Sequence, residues 1–254
     1  MGKIISVVNQ KGGVGKTTTA INLGAYLANL GKQVLLVDVD PQANATSGLG
    51  VDHRKIEQGI YDALIGQLEL SKIIKRTLQN NYYLAPATPA LAGASVELIN
   101  LEDREFRLMR ILETIRDDYD YIIIDGPPSL GLLTINSLVA ADQILIPIQS
   151  EYYALEGLSQ LLETIFLIQN NLKPSLGILG AVITMYDRRN RLSDLVKNEI
   201  HQYFPNRVFE SIIPRSVRLA EAPSYGRSIL QYDPKSSGAK AYEGLAREII
   251  ALER

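Results

Sequence analysis

A glycine-rich loop that joins a short apolar run to a helical pattern restricts the fold of this chain more than any other feature. Residues 4–8 are mostly apolar and predict a strand, and apolar residues recur at helical spacing from about Lys16. Between them lie glycines at positions 12, 13 and 15. Glycines allow several backbone N–H groups to approach one anion, and the N-terminus of the following helix adds partial positive charge. This order of elements predicts a phosphate-binding loop in an α/β protein.

The residues beside the glycines have the side chains that a nucleotide site needs. A lysine at position 16 can neutralise the β- and γ-phosphates of ATP, and the hydroxyl of Thr17 is a suitable ligand for Mg²⁺. A glycine turn without any ligand is the alternative, but three glycines followed by Lys16 and Thr17 after a strand favour a nucleotide. The predicted contacts of the chain with its own nucleotide are Gly12, Gly13, Val14, Gly15, Lys16, Thr17 and Thr18.

Two further apolar runs end in acidic residues. Residues 34–37 precede Asp38 and Asp40, and residues 121–124 precede Asp125. Ligands of open α/β sheets gather at the carboxyl ends of the strands, so we expect these carboxylates to face the phosphates. Asp125 is the candidate residue for holding Mg²⁺, with a water molecule between its carboxylate and the ion. A turn-forming acid at position 40 and a structural aspartate at position 125 are the alternatives.

Strand and helix patterns alternate along the whole chain, which predicts an α/β fold with a mostly parallel sheet and helices on both faces. Helical patterns cover residues 61–76 and 91–117, whereas the polar, glycine-rich residues 42–60 predict a mobile switch loop. Residues 143–148 predict a strand that ends or bends at Pro147. A long helix is expected to open within residues 151–157.

The composition sets limits on the kind of protein this can be. A length of 254 residues suits a single domain over residues 1–254, and 46% apolar with 21% charged residues is typical of a soluble globular protein. The absence of cysteine excludes disulfides, thiolate catalysis and iron–sulfur clusters. No run of about twenty apolar residues predicts a membrane helix, and no signal peptide is recognisable. The expected location is the cytoplasm.

Basic residues are concentrated in the last third of the chain. Residues 173–254 contain 13 lysines and arginines against 9 acidic residues, whereas residues 1–172 contain 13 against 19. Binding to DNA of any sequence needs basic side chains that reach phosphates and no element that reads bases. A solvated basic face is the alternative, and the residues alone do not decide between the two.

The loop, with its second lysine at position 11, resembles the deviant Walker A loop of the ParA/MinD ATPases. Residues 38–44, 124–129 and 213–223 resemble the same family, and its chromosomal ParA (Soj-type) members most closely. The resemblance extends over essentially the whole chain. It implies a P-loop NTPase fold, with ATP and Mg²⁺ as cofactors, and a homodimer that closes face to face around two nucleotides.

The resemblance also implies roles for individual residues. Lys11 would reach across the dimer to the partner's nucleotide, and Asp40 would orient or activate the attacking water, so the implied catalytic residues are Lys11, Lys16 and Asp40. Pro214 and Ser216 would lie beside the adenine. Family members often have asparagine where Ser216 stands, so a side-chain amide contact to the base is absent here.

The function implied by the resemblance is DNA partition. The ATP-bound dimer would bind non-specific DNA of the nucleoid through Arg189 and Arg218, and a ParB-like partner would stimulate hydrolysis and release. A MinD-like protein would be expected to carry a C-terminal amphipathic membrane helix, which this sequence lacks, so no membrane partner is expected. A positioning ATPase for another cargo or for cell division, and a small-molecule kinase or ligase, are the alternative functions.

Overall fold

Runs of isoleucine, leucine and valine form the central strands of the sheet, because a strand that is covered on both faces needs apolar side chains on both. The computed structural model of the protein describes residues 1–151 and 156–252. Within these residues the strands are β1 (Lys3–Val7), β2 (Val34–Asp38), β3 (Lys75–Arg76), β4 (Tyr82–Ala85), β5 (Tyr121–Asp125), β6 (Gln143–Gln149) and β7 (Gly177–Thr184). Their order in the sheet is β3-β4-β2-β5-β1-β6-β7, and only the β3–β4 pairing is antiparallel.

Helices connect the parallel strands, as the alternating pattern predicts. They are α1 (Lys16–Asn29), α2 (Asn44–Gly48), α3 (Ile60–Leu64), α4 (Leu70–Ile73), α5 (Leu91–Leu98), α6 (Arg107–Glu113), α7 (Leu132–Ala140), α8 (Glu156–Asn171), α9 (Arg191–Tyr203), α10 (Val217–Glu221), α11 (Ile229–Tyr232) and α12 (Ser237–Ala251). Among the described residues, no helix is both long enough and apolar enough to cross a bilayer.

The sheet has a hydrophobic core on each face, because alternate residues of a strand point to opposite sides. In β5, Ile122 and Ile124 join a core with helices α3 to α9, whereas Tyr121 and Ile123 join a core with α1, α11 and α12. On the second face the Thr19 and Tyr242 hydroxyls lie 3.1 Å apart and link α1 to α12. The predicted mostly parallel sheet with helices on both faces is confirmed.

Two predicted helices are interrupted in the structure. The pattern over residues 61–76 becomes α3, α4 and β3, because Gly66 adopts φ 84° and the side chain of Arg107 donates to the Leu64 carbonyl at 2.9 Å. The pattern over residues 91–117 becomes α5 and α6, with Asp103 at φ 52° between them. The spacing of apolar residues alone does not indicate where the backbone adopts a positive φ and interrupts a helix.

The predictions for two other segments also need correction. Residues 42–60 contain the short helix α2 rather than only a loop. The strand over residues 143–148 passes through Pro147 to Gln149, because β1 pairs with β6 only as far as Leu145 and Pro147 lies beyond that ladder. The Pro147 carbonyl accepts a hydrogen bond from the side-chain amide of Asn9 at 2.7 Å. The predicted opening of a helix within residues 151–157 lies partly outside the described residues.

Candidate functional site

Three central strands bring the predicted loop and two predicted carboxylates to one edge of the sheet. Val7, the last residue of β1, is in register with Asp125 at the end of β5, and Asp125 is in register with Asp38 at the end of β2. The glycine loop begins directly after β1 and leads into α1. The loop and both carboxylates therefore lie at the carboxyl edge of the sheet, where ligands of open α/β folds bind.

The glycines form an open cradle with unusual backbone angles. Gly13 has φ 76° and Gly15 has φ 91°, values that a residue with a side chain rarely adopts. A Cβ at Gly12 or Gly13 would find no atom within 4 Å, so the space above these backbone groups is open. Together with the N-terminus of α1, this arrangement fits a bound phosphate chain.

Two residues that the sequence analysis missed hold the loop in place. Asn9 accepts a hydrogen bond from the Lys11 backbone N–H at 3.0 Å. The hydroxyl of Thr184, at the end of β7, donates to the Val14 carbonyl at 2.8 Å, and its side chain lies 3.9 Å from a Cβ built on Gly15. Thr184 is 170 residues away from Val14. No local pattern in the sequence indicates such a contact.

The side chain of Lys16 points into this cradle. Lys16 is 7% exposed, and its ammonium donates to the Lys11 carbonyl at 3.0 Å. Burial lowers the pKa of Lys16, and the negative charges of Asp125 and Asp40 oppose the shift. A buried ammonium beside two carboxylates and an open cradle is well placed to neutralise phosphate charge.

Lys11 is arranged differently from Lys16. Only its backbone is engaged: the N–H with Asn9 and the carbonyl with Lys16. Its side chain is half-buried and has no hydrogen-bond or ion-pair partner among the described residues. The Lys11 ammonium is therefore available to a group outside this chain.

Asp125 has the environment expected of a residue that awaits a cation. It is fully buried, and neither carboxylate oxygen has a hydrogen-bond partner. Burial, reinforced by the negative charge of Asp38, raises the pKa of Asp125 well above its usual range, while the nearby Thr17 hydroxyl and Lys16 ammonium oppose the rise. These unpartnered oxygens beside the Thr17 hydroxyl fit a Mg²⁺ ion that arrives with a nucleotide.

The described residues do not assemble a metal site by themselves. Within the described part of the chain, no group of three histidine, cysteine, aspartate or glutamate side chains could hold a metal ion. Mg²⁺ is commonly bound by one or two protein ligands together with substrate phosphates and water. Thr17 and Asp125 suit that arrangement.

Asp38 and Asp40, which were both expected to face the phosphates, have different environments. Asp40 is 6% exposed and lines the cavity above the loop, and its carboxylate accepts from the Gln42 N–H at 2.9 Å. Asp38 is fully buried and accepts from the Thr46 N–H at 2.8 Å and the Thr46 hydroxyl at 2.7 Å. The expectation for Asp38 is wrong, because this carboxylate anchors α2 instead.

The hydrogen bonds of Asp38 also support Asp40. One oxygen of Asp38 accepts from the Asp40 N–H at 3.2 Å. Burial raises the pKa of Asp38 to about 6, and its hydrogen bonds from Thr46 oppose the rise. Asp38 therefore positions both Asp40 and the segment that follows it.

Two adjoining cavities run along this edge of the sheet. One, of about 620 Å³, is lined by the loop residues Gly12 to Thr18 except Val14, and by Asp40. The other, of about 270 Å³, is mainly apolar and is lined by Pro214, Ser216 and Tyr242 among others. Gly15, Thr18 and Met185 line both cavities. The sizes and surfaces suit the phosphates and the base of one nucleotide, and Pro214 and Ser216 line the mainly apolar cavity.

The two arginines predicted to bind DNA are both exposed and both paired. Arg189 is 90% exposed and forms two hydrogen bonds to Asp187, at 3.0 and 2.9 Å. Arg218 is 57% exposed and lies 3.1 Å from Glu221 and 3.6 Å from Asp233. Neither guanidinium is a free cation in this structure.

Comparisons with known proteins show which family the chain resembles. An AAA domain family model, AAA_31, matches residues 2–178. The sporulation initiation inhibitor protein Soj of Bacillus subtilis (strain 168) is 56% identical over 251 residues, covering 99% of each chain. The chromosome-partitioning ATPase Soj of Treponema pallidum (strain Nichols) is 51% identical over 253 residues, covering 100% of this chain and 99% of the relative.

A solved structure shows a similar fold with ligands bound. Cobyrinic acid a,c-diamide synthase from Mycobacterium smegmatis, with bound ADP and magnesium, is 38% identical with a TM-score of 0.88, covering 98% of this chain and 94% of the other. Because the two Soj relatives match over almost their whole length at more than half identity, this chain belongs to the ParA/MinD family of deviant Walker A P-loop ATPases.

Proposed function

We propose that this protein is a DNA partition ATPase in which the bound nucleotide switches DNA binding on and off. ATP with Mg²⁺ occupies the two adjoining cavities, and two chains close face to face as a homodimer. The dimer binds DNA of any sequence on the nucleoid, in the cytoplasm. Hydrolysis, accelerated by a ParB-like partner, opens the dimer and releases the DNA. The cargo is a chromosome or a plasmid, and the names of the similar proteins support this choice.

The observation that carries the proposal is the difference between the two lysines of the loop. Lys16 is buried in its own cradle, whereas the side chain of Lys11 has no partner in the described part of its own chain. A single-chain ATPase needs only the first lysine. The second lysine lets one chain contact the nucleotide of the other. Bound ATP then holds the two chains together, and its hydrolysis lets them separate.

The residues of the site have different roles in hydrolysis. Lys16 and the loop N–H groups bind the phosphates, and Thr17 and Asp125 hold Mg²⁺, which neutralises phosphate charge when bound. Asp40, which lines the phosphate cavity, orients the attacking water in this proposal. Dimerisation joins two weak basic faces into one bivalent surface, so DNA affinity rises through effective concentration.

Asparagine at position 40 is expected to lower the ATP turnover number by about 100-fold or more, because a positioned acid–base group contributes about 10²–10⁴-fold. ATP affinity should stay within about threefold, since the Gln42 N–H keeps an acceptor in the Asn side chain. Phosphate release and nucleotide binding measure the two quantities separately. Equal losses of turnover and affinity would contradict a role in hydrolysis.

The decisive experiment is retention of random-sequence duplex DNA by the purified protein at low salt, with ATP, with ADP and without nucleotide. We expect retention only with ATP, and a longer lifetime of the complex for Asp40→Asn. A protein that hydrolyses ATP but ignores DNA under every nucleotide would disprove the partition function. Acceleration of hydrolysis by cobyrinic acid would then support a small-molecule ligase, the alternative that one structural neighbour represents.

A further inference from the structure

One segment of the chain contributes to the walls of both cavities of the nucleotide site. Ser216 and Ala220 line the smaller, mainly apolar cavity, which we call the base cavity. Helix α10 leads directly into a 3₁₀ turn, Ala222–Tyr225, and Pro223 of this turn lines the phosphate cavity. We call residues 216–226 the shared wall. Because the shared wall is one continuous stretch of backbone, its position beside the base is tied to its position beside the phosphates.

The shared wall meets the segment that follows Asp40 at two facing glycines. Gly226, the last residue of the shared wall, has φ 63°, and Gly50 has φ 82°. A Cβ on Gly226 would lie 2.5 Å from the Gly50 Cα, and a Cβ on Gly50 would lie 3.1 Å from the Gly226 carbonyl oxygen. These neighbouring atoms belong to the backbone and cannot turn aside as a side chain can. The two segments therefore approach this closely because neither residue has a Cβ.

Backbone hydrogen bonds lead from Gly50 back to Asp40. The Gly50 N–H donates to the Ser47 carbonyl at 2.9 Å, and the Ser47 N–H donates to the Ala43 carbonyl at 3.0 Å. The Ala43 N–H donates in turn to the Asp40 carbonyl at 2.8 Å. A displacement of Gly50 is therefore passed on to Asp40, which lines the phosphate cavity.

Helix α2, which lies within this segment, is also held by Thr46. The Thr46 hydroxyl donates to the Asp38 carboxylate at 2.7 Å and accepts a hydrogen bond from the Ala87 N–H at 3.0 Å. Asp38 ends β2, and Ala87 follows the end of β4. The segment therefore has two supports, the strand ends at Thr46 and the shared wall at Gly50.

We propose that Gly50 and Gly226 are positioning residues for ATP hydrolysis, and that their contact links the base cavity to the position of Asp40. A base that fills its cavity packs against the shared wall, and the facing glycines carry the position of the wall to α2 and to Asp40. The nucleotide base thereby sets the placement of the acid that orients the attacking water. This inference rests on the role that the proposed function gives to Asp40.

The test uses alanine variants of three glycines with positive φ in the full-length protein. Gly31, with φ 88°, is the matched control, because a Cβ there meets no atom within 4 Å. All three variants carry the strain of alanine at positive φ, but only Gly50→Ala and Gly226→Ala add a clash. Carbon atoms pack at about 3.5 Å, so a Cβ on Gly226 stands about 1 Å too close to Gly50. The clash forces the shared wall and α2 apart.

We expect the ATP turnover number to fall by about tenfold or more in Gly226→Ala, because a misplacement of about 1 Å can cost about 100-fold. Gly50→Ala should lose less, and Gly31→Ala should keep the wild-type value. ADP affinity should stay within about threefold in all three variants, since Lys16 and the glycine loop are unchanged. Binding of ADP also shows that a variant is folded, and Gly50→Ala carries the test if Gly226→Ala does not fold. Turnover in Gly226→Ala that matches Gly31→Ala, or equal losses of turnover and affinity, would overturn the inference.

Two further measurements test the link itself. Added to Asp40→Asn, Gly226→Ala should lower turnover by less than about threefold more, because the effects of residues that act as one unit do not add. UTP has a smaller base that fills less of the base cavity, so its saturating turnover should be slower than that of ATP in wild type and Gly31→Ala, but similar to it in Gly226→Ala. A further loss of about tenfold in the double variant would disprove the link, since independent effects add. Equal turnover of UTP and ATP in wild type would also disprove it.

The results separate this inference from the proposed function. None of these assays contains DNA, so their outcome is independent of the DNA retention that tests partition. Wild-type turnover in Asp40→Asn would disprove the hydrolytic role of Asp40, and this inference with it. Wild-type turnover in Gly226→Ala beside slow turnover in Asp40→Asn would overturn the inference alone and leave the proposed function intact.

Discussion

Asparagine in place of Asp125 is expected to leave the nucleotide-free protein at least as stable as wild type, and to abolish the stabilisation that depends on Mg²⁺. The wild-type carboxylate is fully buried, has no hydrogen bond, and lies in register with the carboxylate of Asp38. Removing its charge relieves the desolvation and the repulsion that burial imposes. Thermal unfolding of the apo proteins measures the first effect.

The stabilisation that depends on Mg²⁺ is large enough to measure by thermal unfolding as well. Mg²⁺-ATP at about a hundred times its dissociation constant adds about 2.7 kcal/mol to stability, and each kcal/mol shifts the melting temperature by about 2–4 °C at this chain length. Wild type should therefore gain about 5–10 °C when Mg²⁺ accompanies ATP. Asp125→Asn should gain only the smaller shift that ATP gives in EDTA.

The control for this experiment is Asp40→Asn, which removes a nearby charge but not a predicted metal ligand. It should keep the Mg²⁺-dependent shift. If Asp125→Asn melts several degrees below wild type without nucleotide, the aspartate has a structural role, and its assignment to Mg²⁺ is wrong.

The sequence predicted the central strands and the loop well because these depend on local chemistry. The predicted apolar runs at residues 34–37 and 121–124 form β2 and β5, which end at Asp38 and Asp125. Four or more apolar residues that end in an acid or a turn are typical of a strand buried between two layers of helices. The phosphate-binding role of the loop glycines was predictable for a similar reason, because glycines allow backbone N–H groups to approach an anion.

The sequence failed wherever a distant residue decides the outcome. Asp38 could not be distinguished from Asp40 by position, because its role depends on Thr46 lying within 2.8 Å of it. Thr184 supports the loop from the far end of the chain.

Alanine at position 16 is expected to lower ATP affinity by about two to three orders of magnitude, whereas alanine at position 11 should change it by less than about threefold. Lys16 is a buried cation at the phosphate cradle, and truncating one member of a buried charge pair costs about 2–5 kcal/mol, or 30-fold to several thousandfold. The side chain of Lys11 has no hydrogen-bond or ion-pair partner among residues 1–151 and 156–252. Equilibrium binding of a fluorescent ATP analogue to the purified monomers measures both.

The same two variants separate binding from switching. With saturating ATP, Lys11→Ala should remain monomeric in light scattering and fail to retain DNA, although its nucleotide site is filled. Lys16→Ala should already fail to bind ATP, and it should therefore neither dimerise nor retain DNA. A Lys11→Ala protein that loses ATP as completely as Lys16→Ala would show that both lysines serve the nucleotide of their own chain. One that binds ATP and still dimerises on DNA would show that other residues hold the two subunits together.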